Sequence, residues 1–238
     1  MFTESIRHAR ELVLAPAYAV EKITDNLSFQ KAAALWSTYL TAYGLLIDQA
    51  NAQTGQFVLI NAASSAVGIS AIQIANAAGA IPIAISTSAA KRAALLEAGA
   101  SYVIVSSEQD IAEEVNRITH HKGANIILDA VGGPAFSGLL AAAALKARIL
   151  IYGTLSPEPA TINTWEILKK NVQISGFTVA DVNFDPSRLQ AAKTFIYEGL
   201  ASGKLNPVIA GSFTLDAIAD AHRFLESNKQ VEKVIISL

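Results

Sequence analysis

The chain has 238 residues, of which 52% are apolar, with 20 acidic and 18 basic side chains and no cysteine. A formal net charge of −2 without basic clusters argues against nucleic-acid binding, and no apolar stretch reaches the length of a membrane span. The absence of cysteine excludes disulfides, a thiolate nucleophile and cysteine-ligated zinc. The first residues lack the apolar core of a secretory signal, which predicts a cytoplasmic location.

The first predicted unit along the chain is a strand over 57–61, a small polar turn and a helix over 66–78. Unpaired N–H groups and the dipole at the start of such a helix stabilise an anion such as pyrophosphate. The dinucleotide motif Gly-x-Gly-x-x-Gly is incomplete, because Ala63, Ser65 and Ala66 stand where glycines are expected. Taken alone, the turn therefore fits ordinary α/β packing better than a cofactor loop. Its candidate cofactor-binding residues are Ser64, Ser65, Ala66, Val67 and Gly68.

The second predicted strand, 81–86, ends in hydroxyl side chains and is followed by a lysine. An acidic residue at this strand end would bind the ribose hydroxyls of NAD, whereas hydroxyls and cations accommodate the 2′-phosphate of NADP. Ser86, Thr87 and Lys91 therefore favour NADP(H). Lys91 and Arg92 could instead form the solvated face of the next helix. We prefer that interpretation for Arg92 and a phosphate contact for Lys91.

The central region continues as alternating strands and helices. The remaining predicted strands are 102–105, 125–129, 147–152 and 172–177, and the helices are 89–98, 109–119 and 134–144. This alternation predicts an α/β fold with a doubly wound parallel Rossmann sheet. Ligands of such sheets bind beyond the carboxyl ends of the strands, which adds Val131, Gly132 and Gly153 to the candidate site. The two glycines also suit ordinary turns, and both roles can hold together.

No catalytic acid and no metal site is predicted. The adjacent His120 and His121 diverge at a predicted helix end, and no third ligand is evident. They are typical of solvated cations that favour a helix C-terminus.

Short motifs in separated parts of the chain occur in a recognisable order. They are Thr41-Ala42-Tyr43, Leu95-Leu96-Glu97-Ala98-Gly99-Ala100, Asp129-Ala130-Val131-Gly132-Gly133, the segment 148–153 and Asp220-Ala221-His222-Arg223. Together they resemble the medium-chain dehydrogenase/reductase superfamily, in its zinc-free quinone-oxidoreductase-like branch. The likeness covers nearly the whole chain.

The resemblance implies a domain organisation. Residues 1–35 would hold a remnant of a GroES-like β catalytic domain, visible from Glu11 to Lys22, and a connecting helix. Residues 36–180 would form the Rossmann domain, and 181–238 a helix and a return to the remnant. Since the family places a full β domain first, the chain resembles an N-terminally shortened member. The family's Gly-Lys pair near the C-terminus is replaced by Glu232-Lys233.

The resemblance also implies a function. Thr41 and Phe177 would lie near the nicotinamide, and strand 172–177 would pair across a homodimer. The chain would be an NADPH-dependent oxidoreductase that transfers a hydride to a small-molecule substrate, a quinone or α,β-unsaturated carbonyl, without zinc. The alternative is an inactive NADP-binding or dimerisation module, because most of the catalytic domain has no counterpart in the chain.

Overall fold

A six-stranded parallel sheet is the central feature of the computed structural model, which describes residues 12, 14–15, 20–24, 27–228 and 230–237. Its strands are β1 (Phe57–Ile60), β2 (Ile81–Ser86), β3 (Tyr102–Val105), β4 (Ala124–Asp129), β5 (Ala143–Ile151) and β6 (Gln173–Gly176). They lie in the order β3-β2-β1-β4-β5-β6. The winding direction therefore reverses between β1 and β4, where such sheets bind their ligands. The predicted α/β fold with a doubly wound parallel sheet is confirmed.

The helices lie between and after these strands. They are α1 (Phe29–Tyr43), α2 (Ala66–Ala77), α3 (Arg92–Glu97), α4 (Ile111–Ile118), α5 (Phe136–Ala141), α6 (Thr164–Lys170), α7 (Ala180–Asn183), α8 (Pro186–Ala201) and α9 (Ile218–Glu226). Polar side chains cap several of their N-termini, among them Ser65, Asp110, Asn163 and Asp185. Each cap accepts a backbone N–H that the helix itself leaves unpaired. A π-helical turn, Gly44–Gln49, extends α1.

The core explains why the central strands are continuous apolar runs. Leu59, Ile83, Ile104, Ile127 and Ile149 come from five neighbouring strands, and each is fully or almost fully buried in one cluster. Helices cover both faces of a doubly wound sheet, so these strands need no alternation of polar and apolar residues.

The predicted boundary between the helix after β4 and the strand that follows it is wrong. The predicted helix 134–144 begins as a 3-10 turn and ends at Ala141, and β5 begins at Ala143 instead of 147. Alanine favours helix, but Ala143 is buried and pairs with Ala124 of β4. Tertiary packing here overrides the local preference of the alanine run.

Packing divides the chain into two units. One is Ser37–Asn206, and the other combines Met1–Trp36 with Pro207–Leu238. In the second, β7 (Ile209–Thr214) and β8 (Lys233–Ser237) form a parallel pair. Most of the predicted remnant from Glu11 to Lys22 lies outside the described residues. The predicted domains 1–35, 36–180 and 181–238 stay predictions.

Candidate functional site

The loop between β1 and α2 lies at the reversal point of the sheet and begins the site. Ser65 is the N-cap of α2, and its hydroxyl oxygen accepts the Gly68 N–H at 3.1 Å. A Cβ on Gly68 would lie 2.5 Å from the Ala63 carbonyl oxygen, so the helix can approach the loop only with glycine at this position. Close approach of the first helix to the phosphate-binding turn is one role of glycine in dinucleotide folds.

Lys91 reaches this loop from the turn after β2. Its Nζ donates to the Ser64 hydroxyl at 3.0 Å, and the side chain is 7% exposed. Burial lowers the pKa of the Lys91 ammonium group. The structure thus brings together two predicted site residues from different parts of the sequence, and it places a buried cation beside the start of α2.

The two hydroxyl residues at the end of β2 have different environments. Ser86 is buried, and its hydroxyl donates to the Ser88 carbonyl and accepts the Ser88 N–H, both at 3.2 Å. Thr87 is exposed. Ser86 therefore shapes the turn that carries Lys91, and Thr87 is the residue of this pair that can meet a ligand.

Across the reversal point, Asp129 organises the end of β4. Its fully buried carboxylate accepts hydrogen bonds from the Asn61 side-chain amide at 2.9 Å, the Val131 N–H at 2.9 Å and the Gly132 N–H at 3.1 Å. The predicted residues Val131 and Gly132 thus direct their N–H groups to Asp129. Sequence reasoning missed the role of Asn61, because only the fold brings the ends of β1 and β4 together.

The end of β5 carries the predicted site residue Gly153 and, before it, a tyrosine that the sequence did not indicate. A Cβ on Gly153 would lie 2.8 Å from the Ala130 carbonyl oxygen, so glycine allows β5 to approach the loop after β4. The preceding hydroxyl, that of Tyr152, is buried and has no hydrogen-bond partner among the described residues. The pKa of Tyr152 is raised first by burial and then by the charge of Asp129, and Ser65 offsets part of the rise.

Phe177 and Thr41 were expected near the nicotinamide. Phe177 follows β6, where its N–H donates to the Ile151 carbonyl at 2.9 Å. Its buried ring fills the space beside Gly44, where a Cβ would lie 2.3 Å from the ring. The Thr41 hydroxyl donates to the Ser37 carbonyl, one turn earlier in α1. The structure therefore places Phe177 at the carboxyl edge of the sheet and gives Thr41 a bond within its own helix.

The π-helical turn beside Phe177 is fixed by an ion pair and by aromatic packing. Asp48 of this turn pairs with Arg188 of α8 through two hydrogen bonds. The Tyr43 ring lies 5.3 Å from the Phe195 ring. Burial and then Asp48 raise the pKa of Tyr43, and Arg188 lowers it in part. These contacts give Tyr43 a packing role.

Taken together, these residues could hold a dinucleotide. Glycines at 68 and 153 keep backbone elements in close contact, α2 directs its N-terminus at the crevice, and Lys91 supplies a cation. Among the described residues, no group of three or more His, Asp or Glu side chains could hold a metal ion. Over the same part of the chain, no helix is long and apolar enough to cross a bilayer.

Comparison with known proteins agrees with this geometry. A family model described as zinc-binding dehydrogenase matches residues 66–196. The chain is 36% identical over 232 residues to a quinone oxidoreductase-like protein 2 homolog from Nematostella vectensis, covering 96% of this chain but 63% of the relative. It is 30% identical over 229 residues to quinone oxidoreductase from Lama guanicoe, covering 96% and 68% respectively.

Solved structures show the same fold. A quinone oxidoreductase of Escherichia coli, solved in complex with NADPH, superposes with a TM-score of 0.81 at 26% identity. The match covers 89% of this chain and 66% of that one. The chain thus spans about two thirds of the length of these three relatives.

Proposed function

The chain belongs to the medium-chain dehydrogenase/reductase superfamily, in its quinone-oxidoreductase-like branch, and on this basis we propose that it is an NADPH-dependent, zinc-free reductase. The proposed reaction transfers a hydride from the cofactor to a quinone or an α,β-unsaturated carbonyl. The E. coli relative complexed with NADPH supports a nicotinamide cofactor.

Lys91 is the observation that carries the choice of NADP(H). Its buried ammonium group lies next to Ser64 at the start of the phosphate-binding turn, and exposed Thr87 follows the same strand. A cation here favours the dinucleotide that bears a 2′-phosphate, because a charge-assisted hydrogen bond is stronger than a neutral one. We assign to Lys91 the discrimination between NADPH and NADH.

The other residues of the crevice would bind and orient the dinucleotide. The start of α2 would hold the pyrophosphate, and the loops after β4 and β5 would lie along its nicotinamide half. By the resemblance, Phe177 and Thr41 would stand near the nicotinamide. The bound cofactor supplies the hydride, so no nucleophile of the chain is needed. The chain would orient the cofactor against the substrate and exclude water.

Calorimetric titration with NADPH and NADH tests this proposal. Lys91→Met keeps the aliphatic stem and removes the charge, and we expect it to weaken NADPH binding about 10- to 100-fold while leaving NADH binding unchanged. Lys122→Met is the matched control, because Lys122 is exposed in the turn before β4. It therefore lies at the amino ends of the strands, whereas Lys91 lies beyond their carboxyl ends. Equal losses for both nucleotides would contradict the role of Lys91. No binding of either nucleotide to the wild type would refute the proposal.

The second candidate function is an inactive NADP-binding module. The observation that favours it is that the chain matches only 63% of the Nematostella vectensis relative. Oxidation of NADPH with a simple quinone separates the two candidates. Turnover at saturating NADPH supports the reductase, and tight binding without turnover supports the module.

We further propose a homodimer through strand 172–177. β6 forms one edge of the sheet, and an uncovered edge strand favours pairing with another strand. Two exposed apolar residues, Trp165 and Leu168, lie on the helix that precedes it. Analytical ultracentrifugation should give the dimer mass, and a monomer at micromolar concentration would refute this interface. A cytoplasmic location stays a prediction.

A further inference from the structure

A cavity lies on one face of the sheet, where β5 and β6 meet the π-helical turn, and we call it the β5–β6 cavity. Its volume is about 250 Å³, and its lining residues are Gln49, Arg148, Leu150, Gln173 and Ser175. Arg148 pairs in register with Gln173, and Leu150 with Ser175, so these four side chains share one face of the sheet. All five lining residues belong to the Ser37–Asn206 unit. None of them is part of the candidate dinucleotide site.

Arg148 supplies the positive charge of the β5–β6 cavity. Its Nη1 group donates to the backbone carbonyls of Gln49 at 3.2 Å and Ala50 at 2.8 Å, which fixes the end of the π-helical turn. A guanidinium has five N–H donors, so those of Nε and Nη2 remain. Among the described residues, no carboxylate pairs with Arg148. The guanidinium therefore has the charge and the remaining donors that a planar carboxylate needs for two parallel hydrogen bonds.

The neutral polar groups of the β5–β6 cavity are incompletely hydrogen-bonded. The Gln49 side-chain amide donates to the Ser175 hydroxyl at 3.3 Å, and its own oxygen is buried with no partner in the described part of the chain. Over the same residues, the Ser175 hydroxyl hydrogen has no acceptor. Native structures leave few such groups unsatisfied. Since Ser175 lies diagonally across from Arg148 on the neighbouring strand, its hydroxyl can donate to an anion held there.

The size of the β5–β6 cavity and the rest of its wall define the body of a ligand. Since a water molecule occupies about 30 Å³ in the liquid, the cavity holds roughly eight groups of that size. Leu150 supplies the apolar part of the wall, and the exposed Gln173 lies at its side. No acidic side chain is among the lining residues, so no charge in the wall repels an anion.

We propose that the β5–β6 cavity binds a small organic carboxylate with an apolar body. The carboxylate pairs with the Arg148 guanidinium and accepts the Ser175 hydroxyl, and the apolar body packs on Leu150. This site is separate from the dinucleotide crevice and does not depend on the proposed reductase function.

Benzoate is the probe for this site, and benzamide, which has nearly the same shape without the charge, is its control. Amide chemical shifts followed by NMR during titration of the full chain, without nucleotide, measure the binding of both. We expect benzoate to bind with a Kd of about 1 mM and to shift the amide signals of Gln173 and Ser175. Benzamide should bind at least tenfold more weakly. Equal affinities, or no such shifts at about 20 mM benzoate, would overturn the proposal.

Gln173→Glu tests the location of the bound anion. It places a carboxylate beside Arg148 and removes no hydrogen bond of the π-helical turn, so we expect folding to be kept and benzoate binding to weaken more than tenfold. Gln190→Glu is the matched control, because it changes the net charge equally and Gln190 is exposed on α8, outside the cavity. Equal affinities of these two variants for benzoate would overturn the proposal.

Two further comparisons separate the β5–β6 cavity from the other proposed sites. Lys91→Met should leave benzoate binding unchanged, and a loss as large as that of Gln173→Glu would overturn the proposal. Because the titration contains no nucleotide, failure of NADPH binding leaves the benzoate result intact. A second copy of the chain at β6 is the other candidate occupant. If Gln173→Glu converts a dimer to a monomer while the wild type binds no benzoate, the cavity is a subunit contact and the proposal is overturned.

Discussion

Two buried carboxylates in different regions of the chain have opposite environments. Asp129, at the crevice of the Ser37–Asn206 unit, is fully buried and accepts three hydrogen bonds. Glu232, before β8 in the other unit, is 8% exposed, has a φ of 88°, and leaves one carboxylate oxygen without a partner among the described residues.

The two carboxylates differ in how far hydrogen bonds compensate for their burial. The Asp129 carboxylate joins the ends of β1 and β4, so its burial is compensated and the loops of the crevice are held in place. Glu232 is compensated less, because one of its oxygens has no partner among the described residues. Burial raises its pKa to about 8, and the hydrogen bond from the Lys233 N–H opposes this rise. It also stands where the family has glycine, the residue that adopts positive φ without strain.

The largest effect is expected at Asp129. Asp129→Ala leaves the Asn61 amide and the N–H groups of Val131 and Gly132 without their acceptor, and we expect it to lower the free energy of unfolding by about 3–5 kcal/mol. Urea unfolding followed by circular dichroism measures this. The control Asp216→Ala removes an exposed carboxylate and should change stability by less than about 0.5 kcal/mol. Similar values for both would mean that the Asp129 contacts contribute little.

These two carboxylates also show what the sequence could predict. The apolar runs and their alternation with helices were sufficient for the parallel sheet, since both signals are local. The departure at Glu232 from the family's Gly-Lys pair was visible as well, but its burial and positive φ were not. The hydrogen bond from the Asn61 amide to the Asp129 carboxylate joins residues far apart in sequence. Only the order of the strands determines such contacts, so no local pattern could indicate them.

The second largest effect is a pH-dependent gain in stability when the carboxyl group of Glu232 is replaced. With a folded pKa of about 8 against a usual value of 4.5, the carboxyl stays protonated in the folded chain and ionises in the unfolded one between these values. Stability is therefore lost as pH rises from about 4.5 to 8. Glu232→Gln removes this loss and should raise the free energy of unfolding by about 2–3 kcal/mol at about pH 6.5, with little change at pH 4. Unfolding at both values checks it, and a gain of equal size at pH 4 would contradict the titration of Glu232.

The smallest effect separates backbone strain from charge at the same position. At pH 4 the carboxyl is neutral in both states, so Glu232→Gln and the wild type should have nearly equal stability. Glu232→Gly additionally relieves the positive φ of 88°, and we expect a further gain of about 1 kcal/mol over Glu232→Gln at pH 4. Urea unfolding of the two variants side by side measures the difference. A glycine variant no more stable than the glutamine variant would show that the contacts of the buried side chain offset its backbone strain.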